Sequence, residues 1–331
     1  MTTFPVSTVL LSPKALGEAL GPLYFPGRDV ICRLYCRGIN DTYRVLLDGK
    51  VFWYKLYRAG FHEKEAIQAE VELLLHLRSA GVRACVPIVD IDGRYVRAFQ
   101  TATGPRCGVL YETAGKNAYK STDETPEKNA RLGEYVAGLH RALDDMPPIA
   151  RPRLDCESFI DDSMPFIREF RQVHDFDLAF VEELAARTKN ALAGLPEDKP
   201  AFGLCHGDIY EGNLRLDRDG NPVLFDFDFS GYGWRAYDIS MFAYNFSLGA
   251  DQTKHEARAR RFEAFIEGYS RVRTMPEQEL RTISWFIPFR RIFNLGTLYL
   301  ALLADTWGDV AQIRNVEDDI ALLKRWVEIN L

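Results

Sequence analysis

In the first third of the chain, short apolar runs are separated by polar turns. From about Glu127 the apolar residues instead recur at three- and four-residue spacing. The front runs are Val30–Tyr35, Val45–Leu47, Val51–Tyr57, Val96–Phe99 and Val109–Tyr111, each rich enough in β-branched or aromatic residues to be a strand. One helix interrupts them, Glu63 to Ala80, with Ala66, Ala69, Leu73, Leu74 and Leu77 on one face and Gly81 as a stop signal. Val6 to Leu20 is a further candidate helix. The rear helices are expected from Ala130 to Leu143, Phe159 to Phe170, Leu178 to Leu195, Tyr237 to Leu248, Lys254 to Tyr269, Glu277 to Leu303 and Val310 to Val327, and Pro288 should kink or split the sixth. The polar residues Gly115, Asn117, Ser121 and Pro126 form a break between the two patterns. The pattern predicts an α+β chain, with a small antiparallel-sheet N-terminal lobe over 1–113 and a larger helical C-terminal lobe over 114–331.

A chain of 331 residues, 47% apolar, has enough material for two cores. The net charge of −6, without a basic segment, argues against nucleic acid as a partner. No apolar run reaches membrane-spanning length, and Met1 to Ser12 has no charged start followed by an apolar core, so the expectation is a cytoplasmic protein with no membrane partner. The six cysteines make no C-x-x-C pair, and no zinc pattern with histidine is present. Cys32 and Cys36 share a strand face about 13 Å apart, too far for a disulfide. Free, mostly buried thiols are expected, with Cys205 a candidate for alkylation because it adjoins a polar loop.

That loop carries the chemistry. Residues 206–213 read H-G-D-I-Y-E-G-N, and F-D-F-D follows at 225–228. Asp217-Arg218-Asp219-Gly220-Asn221 is a turn signal between Leu214–Leu216 and Pro222–Phe225. Asn213 and Asp226 therefore flank a hairpin at its open end, with Asp208 on the loop that enters it. Phosphoryl transfer needs these groups in this order: a carboxylate for the proton of an attacking hydroxyl, then an amide oxygen and a second carboxylate for Mg²⁺ on nucleotide phosphates. It also needs a cation on a strand, oriented by a helix. Lys55, flanked on its own face by Trp53 and Tyr57, is the candidate, with Glu70 near the apolar side of the following helix as its partner. His206 is expected to brace its loop, and His140 to sit at a core edge.

At these residues the chain resembles the aminoglycoside phosphotransferase and choline kinase-like family. His206-Gly207-Asp208 through Asn213, then Asp226-Phe227-Asp228, stand where that family has H-G-D-x-x-x-x-N and D-F-x. Gly231 to Ile239 is similar to its downstream segment. The resemblance implies a bilobal protein-kinase-like fold and an ATP- and Mg-dependent phosphotransferase. Asp208 would be the catalytic base, Asn213 and Asp226 metal ligands, and Asp238 a carboxylate that pins the loop and caps the next helix. Asp228 would either assist the metal or bond backbone. Gly38 and Asn40 loosely match the family's phosphate-covering loop, and Tyr111, Glu112 and Thr113 fall where the adenine meets the crossing between lobes.

The resemblance also implies a small hydroxyl-bearing acceptor of aminoglycoside, amino alcohol, homoserine or sugar type. The alternatives are a protein serine or threonine acceptor, as in the stress-response branch that Arg151–Asp155 and Pro288–Phe293 resemble, and a nucleotide-binding pseudokinase. Asp155, Glu157, Asp161, Asp162, Glu169, Asp175 and Asp177 would form an acidic rim drawing in a cationic acceptor, or an ordinary solvated face. Tyr210, Tyr232, Trp234, Tyr244 and Trp285 are candidate cleft walls.

Overall fold

The structure is a computed structural model describing residues 9–115, 117–120, 125–247, 253–302 and 304–331, with side chains for all of these except 243–247, 253–258, 304–310 and 312. Ser121, the helix start at Val6 and the helix ends at Leu248 and Leu303 lie outside the described residues. The elements, in chain order, begin with α1 (Pro13–Tyr24), β1 (Ile31–Arg37), β2 (Asp41–Leu47), β3 (Lys50–Leu56), α2 (Lys64–Ser79), β4 (Val96–Thr101), β5 (Gly104–Glu112) and β6 (Asn117–Ala118). They continue with α3 (Pro126–Asp144), β7 (Arg153–Leu154), α4 (Met164–Arg171), α5 (Leu178–Leu192), β8 (Phe202–Cys205), β9 (Leu214–Leu216), β10 (Pro222–Leu224) and β11 (Gly231–Trp234). The chain ends with α6 (Arg235–Ser247), α7 (Thr253–Val272), α8 (Glu277–Thr282), α9 (Phe286–Phe293) and α10 (Ala304–Asn330). The chain divides into two compact units: Met1–Asn117 with Pro148–Ala150 and Arg215–Phe225, and the remainder.

The first unit is built on a five-stranded antiparallel sheet in the order β1-β2-β3-β5-β4. Alternation sets its faces. Tyr43 and Val45 of β2 and Tyr54 and Leu56 of β3 point to one side, where they join Leu16 and Leu20 of α1 in a buried cluster. The expected N-terminal helix thus forms, started by Pro13 after the N-cap Ser12, and its apolar face belongs to the core. Lys55 lies on the opposite face of β3, opposite Thr42 on one side and Val109 on the other. Arg106 of β5 fastens the end of that strand. Its guanidinium donates to the carbonyls of Leu56 at 3.0 Å and Tyr57 at 2.8 Å, and to the Asp41 carboxylate at 2.8 Å. Truncating such a buried pair typically costs about 3–5 kcal/mol, because it leaves a charge without its partner. The expected hairpin forms from β9 and β10. The Asp217 side chain closes its turn on the amides of Asp219 at 2.9 Å and Asn221 at 2.8 Å.

The second unit is mainly helical. Thr125 caps α3 and Pro126 opens it. A three-stranded sheet, β7-β11-β8, carries β8 into the polar loop at His206. Stacked aromatics fill the adjacent core: the Phe159 ring lies 4.5 Å from Phe289 and 4.4 Å from Phe293. As the pattern predicted, the segment from Glu277 does not run as one helix. It passes through α8, a 3₁₀ turn at Ile283–Trp285, α9 and a π-helical stretch at Asn294–Leu302, with Pro288 in the first turn of α9, where its missing N–H has no partner to lose.

Two expectations about cysteine are corrected. All six are free, but only Cys32 and Cys205 are buried, and Cys36 is exposed. Cys205 is closed to alkylation: it is fully buried, and its thiol bonds the carbonyls of Gly233 at 3.5 Å and Trp234 at 3.4 Å. Burial pushes its pKa well above the ordinary thiol value, so no thiolate is available. Among the described residues no helix is long and apolar enough to cross a membrane.

Helices α3 and α7 meet through two glycines. A Cβ on Gly133 would overlap the carbonyl of Phe265, and one on Gly268 would overlap the carbonyl of Ala130. Alanine should gain up to about 1 kcal/mol of helix propensity. Overlap with backbone, which cannot rotate away, costs about 1–3 kcal/mol and outweighs it. Gly268→Ala is therefore expected to lower the thermal unfolding midpoint; a midpoint unchanged or raised would show that the two helices can separate freely.

Candidate active site

In the second unit, residues 206–208 leave β8 and are held from beneath by one carboxylate. Asp238, in the first turn of α6, accepts the His206 amide at 2.7 Å on Oδ2 and the Gly207 amide at 2.7 Å on Oδ1. Its Oδ2 also meets His140 Nε2 at 3.0 Å, and His140 Nδ1 meets the Tyr269 hydroxyl at 2.9 Å. Burial alone would raise the Asp238 pKa. The hydrogen bond from His140, with those from the loop amides, outweighs burial and holds it below the usual carboxylate value. Burial drives His140 the other way, down to about 4, so it is neutral at physiological pH. His140 is thus a fully buried member of the loop's support rather than a core-edge residue.

Gly207 has φ +82°, and a Cβ there would run into the carbonyl of Phe229, so only glycine fits. The Tyr237 hydroxyl donates to its carbonyl at 2.8 Å. His206 braces the loop as expected: its Nδ1 accepts the Asp208 amide at 3.2 Å, and its ring lies 4.3 Å from Phe227.

Asp208 and Asn213 come together. The Asn213 amide nitrogen donates to the Asp208 carbonyl and to Asp208 Oδ2, both at 3.0 Å, which leaves Asn213 Oδ1 as the atom a cation would meet. Asp226 has φ +64°, in the left-handed region that few non-glycine residues occupy, and is near enough for its charge to act on Asp208. Arg151 clips the segment that follows. Its Nε donates to the Ser230 carbonyl at 2.7 Å and its Nη2 to Phe227 at 3.1 Å and to the Asp228 carbonyl. Asp228 itself is buried.

Arg290 of α9 was not among the residues expected here. Its Nη2 donates to Asp208 Oδ1 at 3.2 Å and its Nη1 to the Tyr237 hydroxyl at 3.2 Å, with the guanidinium 4.4 Å above the Phe229 ring. Burial raises the Asp208 pKa; Arg290 opposes that, and Asp226 adds to it. The sequence signals for Arg290 were the family resemblance of Pro288–Phe293 and a pair of arginines inside an apolar run, and neither placed it beside Asp208. A cavity of about 340 Å³ opens on Asp208, lined among others by Tyr210, Met241, Ile287, Arg290 and Asn294.

The expected acidic rim does not reach this cavity. Asp155 pairs with Arg153 at 2.8 Å, Asp161 with Lys189 at 2.6 Å, Asp175 with Arg171 at 2.7 Å and Asp177 with Lys324 at 2.5 Å. Of the candidate wall aromatics, Tyr210 lines the cavity and Trp234 is core, its indole bonded to the Pro196 carbonyl at 3.1 Å. The Tyr244 side chain lies outside the described residues.

The first unit holds the other expected group. Lys55 Nζ is 3.5 Å from Glu70 Oε1 and 4.8 Å from the Tyr57 ring centroid. Glu70 is fixed from behind. The Tyr57 hydroxyl donates to its Oε2 at 3.0 Å, and the Tyr111 hydroxyl lies 3.0 Å from that of Tyr57 and 3.5 Å from Glu70 Oε1. The Tyr111 side chain therefore belongs to this network. The Glu112 amide donates to the Val86 carbonyl at 2.9 Å, and the Thr113 hydroxyl donates to the Val51 carbonyl at 2.6 Å. In the β1–β2 loop the Gly38 amide donates to the Asn40 carbonyl at 3.1 Å, and Asn40 Oδ1 accepts the Arg58 amide at 2.9 Å.

The sheet, the helical unit and the supported H-G-D loop define a phosphotransferase of the kinase-like fold. The chain belongs to the Phosphotransferase enzyme family, whose pattern matches residues 37–275. Amicoumacin kinase of Bacillus subtilis is 24% identical over 309 residues, covering 92% of this chain and 90% of that one. Among solved structures, an amicoumacin kinase in complex with AMP-PNP, Ca²⁺ and Ami superposes with a TM-score of 0.73 at 20% identity, over 96% of this chain and 92% of the other. A microcompartment-associated aminopropanol kinase gives 0.74 at 22%, over 96% and 98%.

The support beneath the loop has a pH signature. His140 has a folded pKa of about 4 against 6.5 for the ordinary group, so the unfolded chain takes up its proton first as pH falls. This part of the stability is complete above pH 6.5 and disappears as pH falls toward 4; between pH 7.5 and 5 it loses about 2 kcal/mol. His140→Gln lacks that dependence. Its stability deficit relative to wild type, measured by denaturant unfolding, should shrink by this amount over the same range. Parallel curves for the two proteins would show that His140 is not held neutral.

Proposed function

We propose that the protein transfers the γ-phosphate of ATP, with Mg²⁺, to a hydroxyl of a small molecule. The observation that carries this reading is the Asp208 carboxylate, held by Asn213 at 3.0 Å on a loop bonded to Asp238 and facing a cavity of small-molecule size.

Among the described residues no three His, Cys, Asp or Glu side chains cluster as a metal site. Magnesium does not need one, since it takes one or two protein oxygens beside phosphate and water. Asn213 Oδ1 and Asp226 suit that role; when bound, the ion would neutralise charge on the transferring phosphate. Lys55, oriented by Glu70, supplies the cation for the nucleotide phosphates, and the β1–β2 loop with Gly38 and Asn40 covers them. Backbone near Tyr111, Glu112 and Thr113 receives the base. The Glu112 amide already bonds Val86, so the carbonyls and the Thr113 amide are the groups for it. The complex of the amicoumacin kinase with a nucleotide analogue and a divalent ion supports both cofactors.

In the reaction the acceptor oxygen bonds to the γ-phosphorus as the bond to the bridging oxygen breaks. The bonding pair leaves on ADP, and the hydroxyl proton passes to Asp208. Asp208→Asn keeps the shape and removes the base. We expect kcat to fall by about 10²–10⁴-fold, the usual range for a positioned acid or base, while nucleotide affinity by calorimetry stays close to wild type. Undiminished acceptor-dependent ATP turnover in that variant would reject the assignment.

A further inference from the structure

We infer that the cavity beside Asp208 selects an acceptor bearing a carboxylate close to its hydroxyl, a short hydroxy acid, with Arg290 as the residue that recognises it. The inference rests on the proposed kinase reading, because Asp208 is taken to receive the hydroxyl.

Three observations carry it. The first is the charge on the cavity wall. Arg290 and Arg291 both line it, and Asp208 is the only carboxylate among the described lining residues. Arg291 is matched by Asp319 at 2.7 Å. Among the described lining residues an ammonium acceptor would therefore meet two guanidiniums and no carboxylate other than the one that must take its hydroxyl. None of the seven acidic side chains at 155–177 is among the described lining residues, and Asp155, Asp161, Asp175 and Asp177 are paired with cations of their own.

The second is the state of Arg290. Its side chain is 7% exposed and Asp208's is 18%, so both reach the cavity from a low-dielectric wall, where charge selection is strong. A guanidinium has five N–H donors in a rigid fork, and two of the Arg290 donors are engaged, one by Tyr237 and one by Asp208. Stacking on Phe229 and Phe293 fixes its plane. The donors that remain suit a planar carboxylate. Since Arg290 and Asp208 are in contact, a carboxylate on one and a hydroxyl on the other must be near neighbours in the acceptor.

The third observation is Asn294. It opens the π-helical stretch, is 9% exposed and lines the same cavity, and its Oδ1 has no hydrogen-bond partner. A buried acceptor atom of this kind calls for a donor. A second hydroxyl or an amino group on the hydroxy acid would supply it.

The test varies charge on a fixed scaffold: glycerate, glyceramide and 3-aminopropane-1,2-diol, and the same three end groups on a four-carbon alcohol. Each is assayed for Mg·ATP-dependent phosphorylation by ³¹P NMR, and for binding by calorimetry without nucleotide. In the scaffold bound best, the acid should exceed the amide and the amine by at least about tenfold in affinity, the discrimination expected when a buried charged donor is left without its partner. Arg290→Met should abolish that preference, bringing acid, amide and amine to similar affinity. Arg290→Lys, which keeps the charge without the fork, should retain preference for the acid at lower affinity and serves if the methionine variant does not fold. Binding of the amine or amide equal to that of the acid, or no binding of any acid, would overturn the inference. Carboxylate-selective binding without phosphorylation would instead support the subsite and count against the kinase reading, so the two failures are distinct.

Discussion

The H-G-D loop at 206–208 depends on the Asp238 carboxylate. Two consecutive backbone amides, His206 and Gly207, end on its two oxygens, and a buried imidazole occupies a third bond. Each amide left without an acceptor in that interior would cost about 1–3 kcal/mol. Glycine is required at 207, because at φ +82° and against the Phe229 carbonyl no residue with a Cβ fits. The loop is therefore determined by α6 below it. Through His140 and Tyr269 it is tied also to α3 and α7, the pair whose close approach two glycines allow. Packing of helices far from Asp208 in sequence thus sets the direction in which Asp208 points.

On that platform, the charge on Asp208 is set by opposition. Burial and the neighbouring Asp226 favour the neutral acid, and Arg290 favours the carboxylate. A group that is to accept a proton at neutral pH needs some of both: a carboxylate in water is too weak a base, and one buried without a cation would not ionise. Asn213 ties the same carboxylate to the expected metal position, and Arg151 holds the backbone after Asp226 by three of its carbonyls. Few of these contacts are local. Arg290 is 82 residues from Asp208 and Arg151 is 79 from Ser230.

That separation explains what the sequence revealed and what it hid. The strand-rich front, the helical rear, the hairpin and the new helix start just before Pro288 follow from periodicity, turn residues and proline, which act over a few positions. Lys55 and Glu70 were legible because a lysine between aromatics on one strand face, and a glutamate near the apolar side of the next helix, already break the local pattern. Asp208, Asn213 and Asp226 were legible as residue types in a fixed order. Arg106, Arg151, His140 and Arg290 were not, since each has its meaning only in a partner brought near by folding. Between an acidic rim and a solvated face composition could not choose for the same reason: it shows the carboxylates at 155–177, whereas the pairing of Asp161 with Lys189 and of Asp177 with Lys324 is a tertiary fact.

The two kinds of information correspond to two parts of the function. Chemistry common to phosphotransferases lies in short segments whose residues act together, so one sequence displays it. On the proposed reading, the choice of acceptor lies in α9 and at the start of the π-helical stretch after it, where Arg290 and Asn294 reach the cavity. Arg290 stands in regular helix, so the helical period could place it on a face but could not name the partner folding brings to it; after Asn294 the π-helical stretch also shifts the angular position of the side chains that follow. The acceptor is then specified by residues close to Asp208 in space and more than eighty residues from it along the chain.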